Sequence, residues 1–260
     1  MTQEAQYPSW LYRLIHQGNE GDVAFYVDAC SEAKTILELG CGFGRVLVAL
    51  AEAGHLVTGV DSHAGLLAET AGALAMKAGR KDRATLLEGD MRTVSFKQRF
   101  DRVILPYNGL FCLQSDAEVR DCFENVARHL APDGLFIFDV YAAECLFEDA
   151  ATIDEEVIVE EPELLSELKE DGADITVYES SVWTPGEQRY DVSYRYEIKD
   201  GAGERVQTHT IAHRYMLLDQ ITALLAECGL RVALALGDFE GRGFDEESDQ
   251  LIVVASIAKK

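Results

Sequence analysis

Residues 35–44 read TILELGCGFG, a short apolar run that breaks into glycine at alternate positions, Gly40, Gly42 and Gly44. A helical pattern over residues 45–53 follows at once, with Gly54 as its C-terminal stop. Glycines where a strand hands over to a helix let the chain turn tightly. They also let a ligand press against bare backbone, beside the positive end of the helix dipole. A glycine-rich turn can equally be a plain structural device, so what surrounds it has to decide its use.

Downstream, a second apolar run over residues 56–60 ends on Asp61 and passes into a helix expected over 63–78. A third strand, 84–88, ends in Gly89 and Asp90, and a fourth, 102–105, ends in Pro106, Tyr107, Asn108 and Gly109. Ser115 and Glu118 have the spacing of a capping box for a helix running to about residue 130. Pro132, Asp133 and Gly134 then turn the chain into a fifth strand, 135–139. The runs are nearly all apolar, as strands covered on both faces should be. Strand and helix in alternation predict an α/β fold, a doubly wound and mostly parallel sheet.

Upstream, residues 1–32 read as helical with aromatic spacing, interrupted at 18–21. Beyond Tyr141 the pattern breaks. Residues 144–174 are dense in Asp and Glu, with Lys169 as the one base. Three segments of period-two character follow, 175–184, 189–198 and 205–215. In the middle one Tyr190, Val192, Tyr194, Tyr196 and Ile198 share a face, which predicts an antiparallel β-meander with one packed side. A helix over 217–228 and strands over 231–236 and 251–257 close the chain. The expected division is an N-terminal helical lid (1–32), a core (33–141 with 217–260) and an inserted acidic segment with a meander acting as a substrate lid (142–216).

The 260 residues hold 46 Asp and Glu against 23 Lys and Arg, a formal charge of −23. That balance argues against nucleic acid or an anionic membrane surface as partner, since both reward clustered Lys and Arg. No apolar run approaches a membrane span, and residues 1–10 show neither a basic nor an apolar leader region, so a cytoplasmic protein is expected. Six scattered cysteines without a C-x-x-C pair predict buried thiols, and no metal-ligand cluster is visible.

Acids at successive strand ends sharpen the glycine turn. Asp61 can accept both hydroxyls of a ribose placed over it, and Asp90 can accept from an adenine amino group. Each is also an ordinary turn or capping residue when taken alone. The dinucleotide fingerprint competes but fails, because Arg45 stands where it needs its third glycine. Residues 38–44, Asp61, Gly89 with Asp90, Phe100 with Asp101, and residues 130–134 together resemble the motif series of the class I S-adenosylmethionine-dependent methyltransferases, over about residues 33–140. The resemblance implies a Rossmann-like, seven-stranded sheet completed by the last helix and two strands. It implies that Gly40, Gly42 and Gly44 hold the methionine part of the cofactor, Asp61 with Ser62 the ribose, and Asp90 with Met91 the adenine. Glu38, Leu105 and Tyr12 join that cofactor set. Tyr7, Trp10, Tyr12 and Arg13 would close over the amino-acid end if the first helix is a lid.

In such enzymes the end of the fourth strand borders the methyl, which points to Tyr107 and Asn108 as catalytic orienting groups and to Phe111. Nucleic-acid amino methyltransferases carry Asp/Asn-Pro-Pro-aromatic there; residues 105–108, LPYN, share only one proline and the aromatic. The meander and residues 208–215, THTIAHRY, are similar to small-molecule N-methyltransferases. His209 and His213 are candidate proton acceptors, or polar residues bonded within a sheet face. Arg195 and Arg214 would hold a substrate carboxylate or phosphate, or pair with the surrounding acid. Tyr141 and Tyr215 complete the substrate set. The expected activity is methyl transfer to a small molecule, at an amine nitrogen rather than oxygen. A protein side-chain methyltransferase and a non-catalytic cofactor binder using the meander as an interface stay open, as does a homodimer. The acidic stretch would flank the entrance and favour a cationic substrate, or form a solvated connecting helix.

Overall fold

The computed structural model describes residues 6–77, 81–144 and 157–259. The chain divides into two compact units, one of Met1–Leu110, Ser115–Ala142 and Leu217–Lys260, the other of Phe111–Gln114 and Ala143–Met216.

In the first unit, α1 (Ser9–Ile15) and α2 (Asp22–Ala29) precede the alternation β1 (Thr35–Leu39), α3 (Arg45–Ala53), β2 (Leu56–Asp61), α4 (Ala64–Met76), β3 (Ala84–Glu88), β4 (Phe100–Leu105), α5 (Asp116–His129) and β5 (Leu130–Tyr141). The strands β6 to β9 belong to the second unit. After them come α6 (Leu218–Glu227), β10 (Leu230–Leu236) and β11 (Gln250–Ile257). The seven-stranded sheet runs β10-β11-β5-β4-β1-β2-β3. Strands β1 to β5 pair in parallel, while β11 lies antiparallel between β5 and β10. Strand order therefore reverses between β1 and β4, the kind of switch point beside which open α/β sheets bind ligands. The apolar runs bury as expected: Ile36, Leu37 and Leu39 of β1 and Val103, Ile104 and Leu105 of β4 are all at or near zero exposure. Phe123 of α5 packs on Phe136 and Phe138 of β5, with ring centroids 5.9 and 6.2 Å apart.

Two local expectations need correction. Strand β5 begins at Leu130, so Pro132, Asp133 and Gly134 lie inside it rather than ahead of it. Phe100 pairs with Leu130 and Arg102 with Leu135, so five steps on β5 face two on β4. The excess is taken up as a bulge, where a proline lacking its amide and a glycine are both tolerated. The cysteines are not uniformly buried either: Cys30, Cys41 and Cys122 are, Cys228 is partly so, and Cys112 is exposed. Cys145 lies outside the described residues.

The second unit is a four-stranded antiparallel sheet ordered β6 (Ile158–Glu170), β7 (Ala173–Thr184), β8 (Arg189–Asp200) and β9 (Gly203–Arg214). The expected meander has three strands; the fourth, β6, comes from the acidic segment, so Ile158–Glu170 form a strand rather than part of a connecting helix. Residues 145–156 of that segment lie outside the described residues. Asp171 and Gly172, both left-handed (φ 49° and 82°), make the two-residue turn from β6 to β7. Ile175, Val177, Val192, Tyr196 and Ile198 form the packed face. Strand β6 has no buried side chain and most of them exposed, with two register breaks against β7. A charged, bulged strand on an edge resists pairing with another chain.

Among the described residues no helix is long and apolar enough to cross a membrane. Gly44 tests how tightly the turn after β1 is packed. It has φ 86°, and a Cβ on it would lie 2.5 Å from Thr70 Cγ2. Gly44→Ala should destabilise the protein by about 2–4 kcal/mol, from overpacking and left-handed strain. In a Thr70→Ser background, which lacks that methyl, the penalty should shrink by about 1 kcal/mol; urea denaturation of the four proteins measures both.

Candidate functional site

The glycine turn is shaped from outside itself. Gly40, Gly42 and Gly44 are all left-handed (φ 64°, 54° and 86°), and backbone bonds from Cys41 N to Val60 O (3.0 Å) and Gly44 N to Cys41 O (2.9 Å) set the curve. Asp61, closing β2, accepts from Gly42 N at 2.7 Å with Oδ2 and from His63 N at 2.8 Å with Oδ1. Thr70 Oγ1 of α4 donates to Gly42 O at 2.8 Å. A Cβ on Gly42 would meet nothing within 4 Å, so its bare side faces open space rather than protein. That space is a cleft lined by Tyr12 of α1, His16 just after it, Glu38, the turn itself, Arg45 and Tyr107.

Glu38 forms part of the cleft wall. It is 2 % exposed, and its Oε2 has no hydrogen-bond partner. Burial pushes its carboxyl up from 4.5 to about 8, against the pull of Arg45 and helped by Asp61. A buried carboxyl with an unused oxygen beside an open glycine turn suits a cationic group, and the amino-acid end of S-adenosylmethionine carries an ammonium. The residues present therefore fit the expected cofactor.

A second buried carboxyl supports the end of β4. Asp139 has no exposure; its Oδ1 accepts from Tyr26 Oη at 2.6 Å and from Tyr107 N at 2.9 Å. Its carbonyl accepts from Asn108 N at 3.0 Å, and Asn108 Oδ1 accepts from Tyr141 N at 2.7 Å. Burial raises the Asp139 carboxyl to about 6 even though the bonds from Tyr26 and Tyr107 oppose the rise. These bonds hold Tyr107 and Asn108 at φ 56° and 59°. Two successive side-chain-bearing residues in the left-handed region are uncommon, and such strain gathers at functional sites. Arg45 pairs with the buried Asp22 at 2.5 Å and stands 5.5 Å from the Tyr107 ring centroid. Tyr12 and His16 stack with centroids 4.1 Å apart.

The remaining expected residues divide. Asp90 is engaged by Arg92, whose Nε reaches both carboxylate oxygens at 3.0 Å and whose Nη2 reaches Oδ2 at 2.6 Å. Those bonds hold its carboxyl below the usual range, so an adenine amino group would share this acceptor with Arg92. Met91 reaches the turn: its Cε would be 3.9 Å from a Cβ on Gly40. Ser62 is exposed, and Leu105 is wholly buried behind Gly40 and Gly109.

In the second unit Phe111 is fully buried with its ring 6.4 Å from that of His213. Desolvation pushes His213 down to about 4 and lowers His209. Tyr215 is buried, and its hydroxyl accepts from Trp183 Nε1 at 3.1 Å, the setting of a core residue. Arg195 pairs with Glu197 at 2.5 Å and stands 4.6 Å from the Tyr178 ring, taking the ion-pair alternative. Arg214, the last residue of β9, is partly buried.

Asp139, Tyr26, Arg92 and the Arg45–Asp22 pair were missed from the sequence. Only Asp139 carried a signal, as an acid near the end of its strand like Asp61 and Asp90.

The raised Glu38 carboxyl gives a test. A raised acid contributes its full stability below its ordinary value and loses it as pH climbs through the folded value, here between about 4.5 and 8. Glu38→Gln is free of that loss. Its thermal midpoint relative to the parent should therefore climb from about pH 5 to about pH 8.5, with a gain of at most a few kcal/mol. A pH-independent difference in calorimetry would contradict the assignment.

Residues 36–134 match a family model described as a methyltransferase domain. The chain is 28% identical over 274 residues to a protein of Geobacillus sp. (strain WCH70) that carries a provisional methyltransferase name, covering 98% of this chain and 94% of that one. Over 137 residues it is 31% identical to the dTDP-3-amino-3,6-dideoxy-α-D-glucopyranose N,N-dimethyltransferase of Streptomyces fradiae, covering 50% and 51% of the two chains. It shares its fold with S-adenosylmethionine-bound CalS10, an amino pentose methyltransferase from Micromonospora echinaspora, at a TM-score of 0.69 and 21% identity over 99% and 100% of the chains. The domain match falls on the same residues that build the glycine turn, its acid partner and the strand reversal beside them, so this stretch is similar to a methyltransferase domain and the chain shares the Rossmann-like fold of S-adenosylmethionine-dependent methyltransferases.

Proposed function

We propose that the protein transfers a methyl group to the nitrogen of a small-molecule amine, with amino sugars as the first acceptor class. The observation that carries the acceptor class is the likeness to the Streptomyces fradiae amino-sugar N,N-dimethyltransferase. The fold shared with an amino pentose methyltransferase accords with it.

Bound S-adenosylmethionine supplies an electrophilic methyl on sulfur; the work left to the chain is orientation and exclusion of water. In this reading the glycine turn and Glu38 hold the methionine end, Glu38 facing the ammonium, with Tyr12 beside them. Asp61, preset by Gly42 and His63, takes the ribose with Ser62, and Asp90 and Met91 flank the adenine. Tyr107 and Asn108, kept left-handed by Asp139, orient the acceptor.

An amine that has lost its proton before attack asks little of a base, whereas a hydroxyl asks for one at the moment of reaction. Desolvation lowers both histidines of β9, His213 to about 4, which makes His213 a poor base near neutrality and favours nitrogen over oxygen. The unit of Phe111–Gln114 and Ala143–Met216 sets acceptor specificity in this proposal. The chain enters it three residues after Asn108, and Gln114 Nε2 donates to Ala212 O of β9 at 2.9 Å. A net charge of −23 suits a cationic small molecule better than a nucleic acid.

Incubation with S-adenosylmethionine and a panel of amino sugars, other amines and alcohols, read by mass spectrometry, should give one-methyl mass gains on amines together with S-adenosylhomocysteine. Methylation confined to hydroxyl acceptors would overturn the nitrogen assignment. Asp61→Asn, which keeps an oxygen for the Gly42 amide, should weaken S-adenosylmethionine binding by about 1–3 kcal/mol; unchanged affinity in titration calorimetry would remove Asp61 from the ribose site.

A further inference from the structure

An imidazole closes the N-terminus of α4. Helix caps are ordinarily Ser, Thr, Asp or Asn, whose short side chains accept from amides of the first turn. Here His63 Nδ1 accepts from Gly65 N at 3.1 Å and Leu66 N at 3.3 Å. With Nδ1 used as an acceptor, the ring proton resides on Nε2, which donates to the carbonyl of Tyr7 at 2.7 Å. The His63 amide also donates to Asp61 Oδ1 at 2.8 Å, and the other oxygen of that carboxylate receives Gly42 N. One residue thus joins α4, the acid at the end of β2 and a segment 56 positions earlier in the chain.

The local sequence is fitted to the ring. A Cβ on Gly65 would lie 2.9 Å from His63 Cε1 and 3.3 Å from Ser9 Oγ, so a helix-weakening glycine is what leaves room for the imidazole against the start of α1. Along the same contact, Arg13 of α1 pairs with Glu69 of α4 at 3.0 Å. Helix α1 and its C-terminal cap in turn carry Tyr12 and His16 into the lining of the cleft.

We propose that His63 is a positioning residue for cofactor retention: its Nε2–H bond to Tyr7 latches the segment that carries Tyr12 and His16 against the cleft, while the same ring caps α4 behind Asp61. Asn or Ser would cap the helix as well, but both are too short to span to Tyr7 as well. Capping alone therefore explains a small polar residue, and not an imidazole with a glycine cleared beside it. The inference rests on the cleft being the cofactor site.

His63→Asn, with His63→Ser as a second variant, keeps the cap and removes the latch. In the ligand-free protein, hydrogen exchange of residues 7–16 should quicken by about 3- to 10-fold, the worth of one hydrogen bond, while the α4 amides and the thermal midpoint hold. Dissociation of S-adenosylhomocysteine, followed by stopped flow, should quicken over the same range. His63→Ala removes the cap too and should lower the midpoint, which separates the two roles. Parent-like exchange over residues 7–16 together with a parent-like dissociation rate in His63→Asn would overturn the latch. Failure of the unmutated protein to bind S-adenosylhomocysteine at all would instead overturn the cofactor reading and the retention role with it, and the exchange measurement would still show whether the Tyr7 bond orders α1.

Discussion

The amide of Gly42 donates to the carboxylate of Asp61 at 2.7 Å, and the glycine-turn end of the first unit is organised around that bond. A turn with three glycines has little side-chain packing of its own to define it. Its shape comes from groups on neighbouring elements: the Val60 carbonyl, the Thr70 hydroxyl and above all the Asp61 carboxylate. Because β1 and β2 are paired in parallel register up to Leu39 and Val60, the acid emerges beside the turn at the same level. The carboxylate that would meet a ribose is thereby already oriented by two amides, with lone pairs left over for a ligand. Preorganisation of that kind avoids reordering the site when the cofactor arrives.

Three acids of the first unit sit in a dry environment. Glu38, Asp139 and Asp22 are all buried near the ends of β1, β5 and α2, and Arg45 is the base paired with Asp22. Glu38 and Asp139 are driven upward by desolvation, which means that their charged forms cost stability. Such groups are retained where they have something to hold: an ammonium for Glu38 in the proposed function, and for Asp139 the strained pair Tyr107 and Asn108. Asp139 meets the backbone of both residues, so the conformation at the end of β4 is imposed from β5.

The second unit follows different rules. Its strands are joined by short turns, pair antiparallel throughout and bury one face through Ile175, Val177, Tyr196 and Ile198. The acid that dominates the chain's charge falls partly on β6, an edge strand with exposed glutamates and broken register. There it has a structural use, since repulsion between like charges keeps an open edge from recruiting another chain.

Much of this was legible in residues close together in sequence. Apolar runs, glycines at the strand-to-helix handover and acids at strand ends act over a few positions, so the parallel core, the glycine turn and Asp61 could be read directly. Strand β6 could not, because an edge strand exposed on both faces shows no two-residue alternation. The Pro132 to Gly134 stretch reads as a turn, and only its pairing with β4 makes it a bulge. The helix expected from residue 63 starts at Ala64 instead, with the His63 imidazole as its cap. The sequence by itself determined the sheet's composition and the chemistry offered at its strand ends, because those depend on local pattern. What each acid and ring meets was decided by tertiary structure alone: Tyr26 reaches Asp139 across 113 positions and Tyr7 reaches His63 across 56, and no local pattern constrains a pairing over that span.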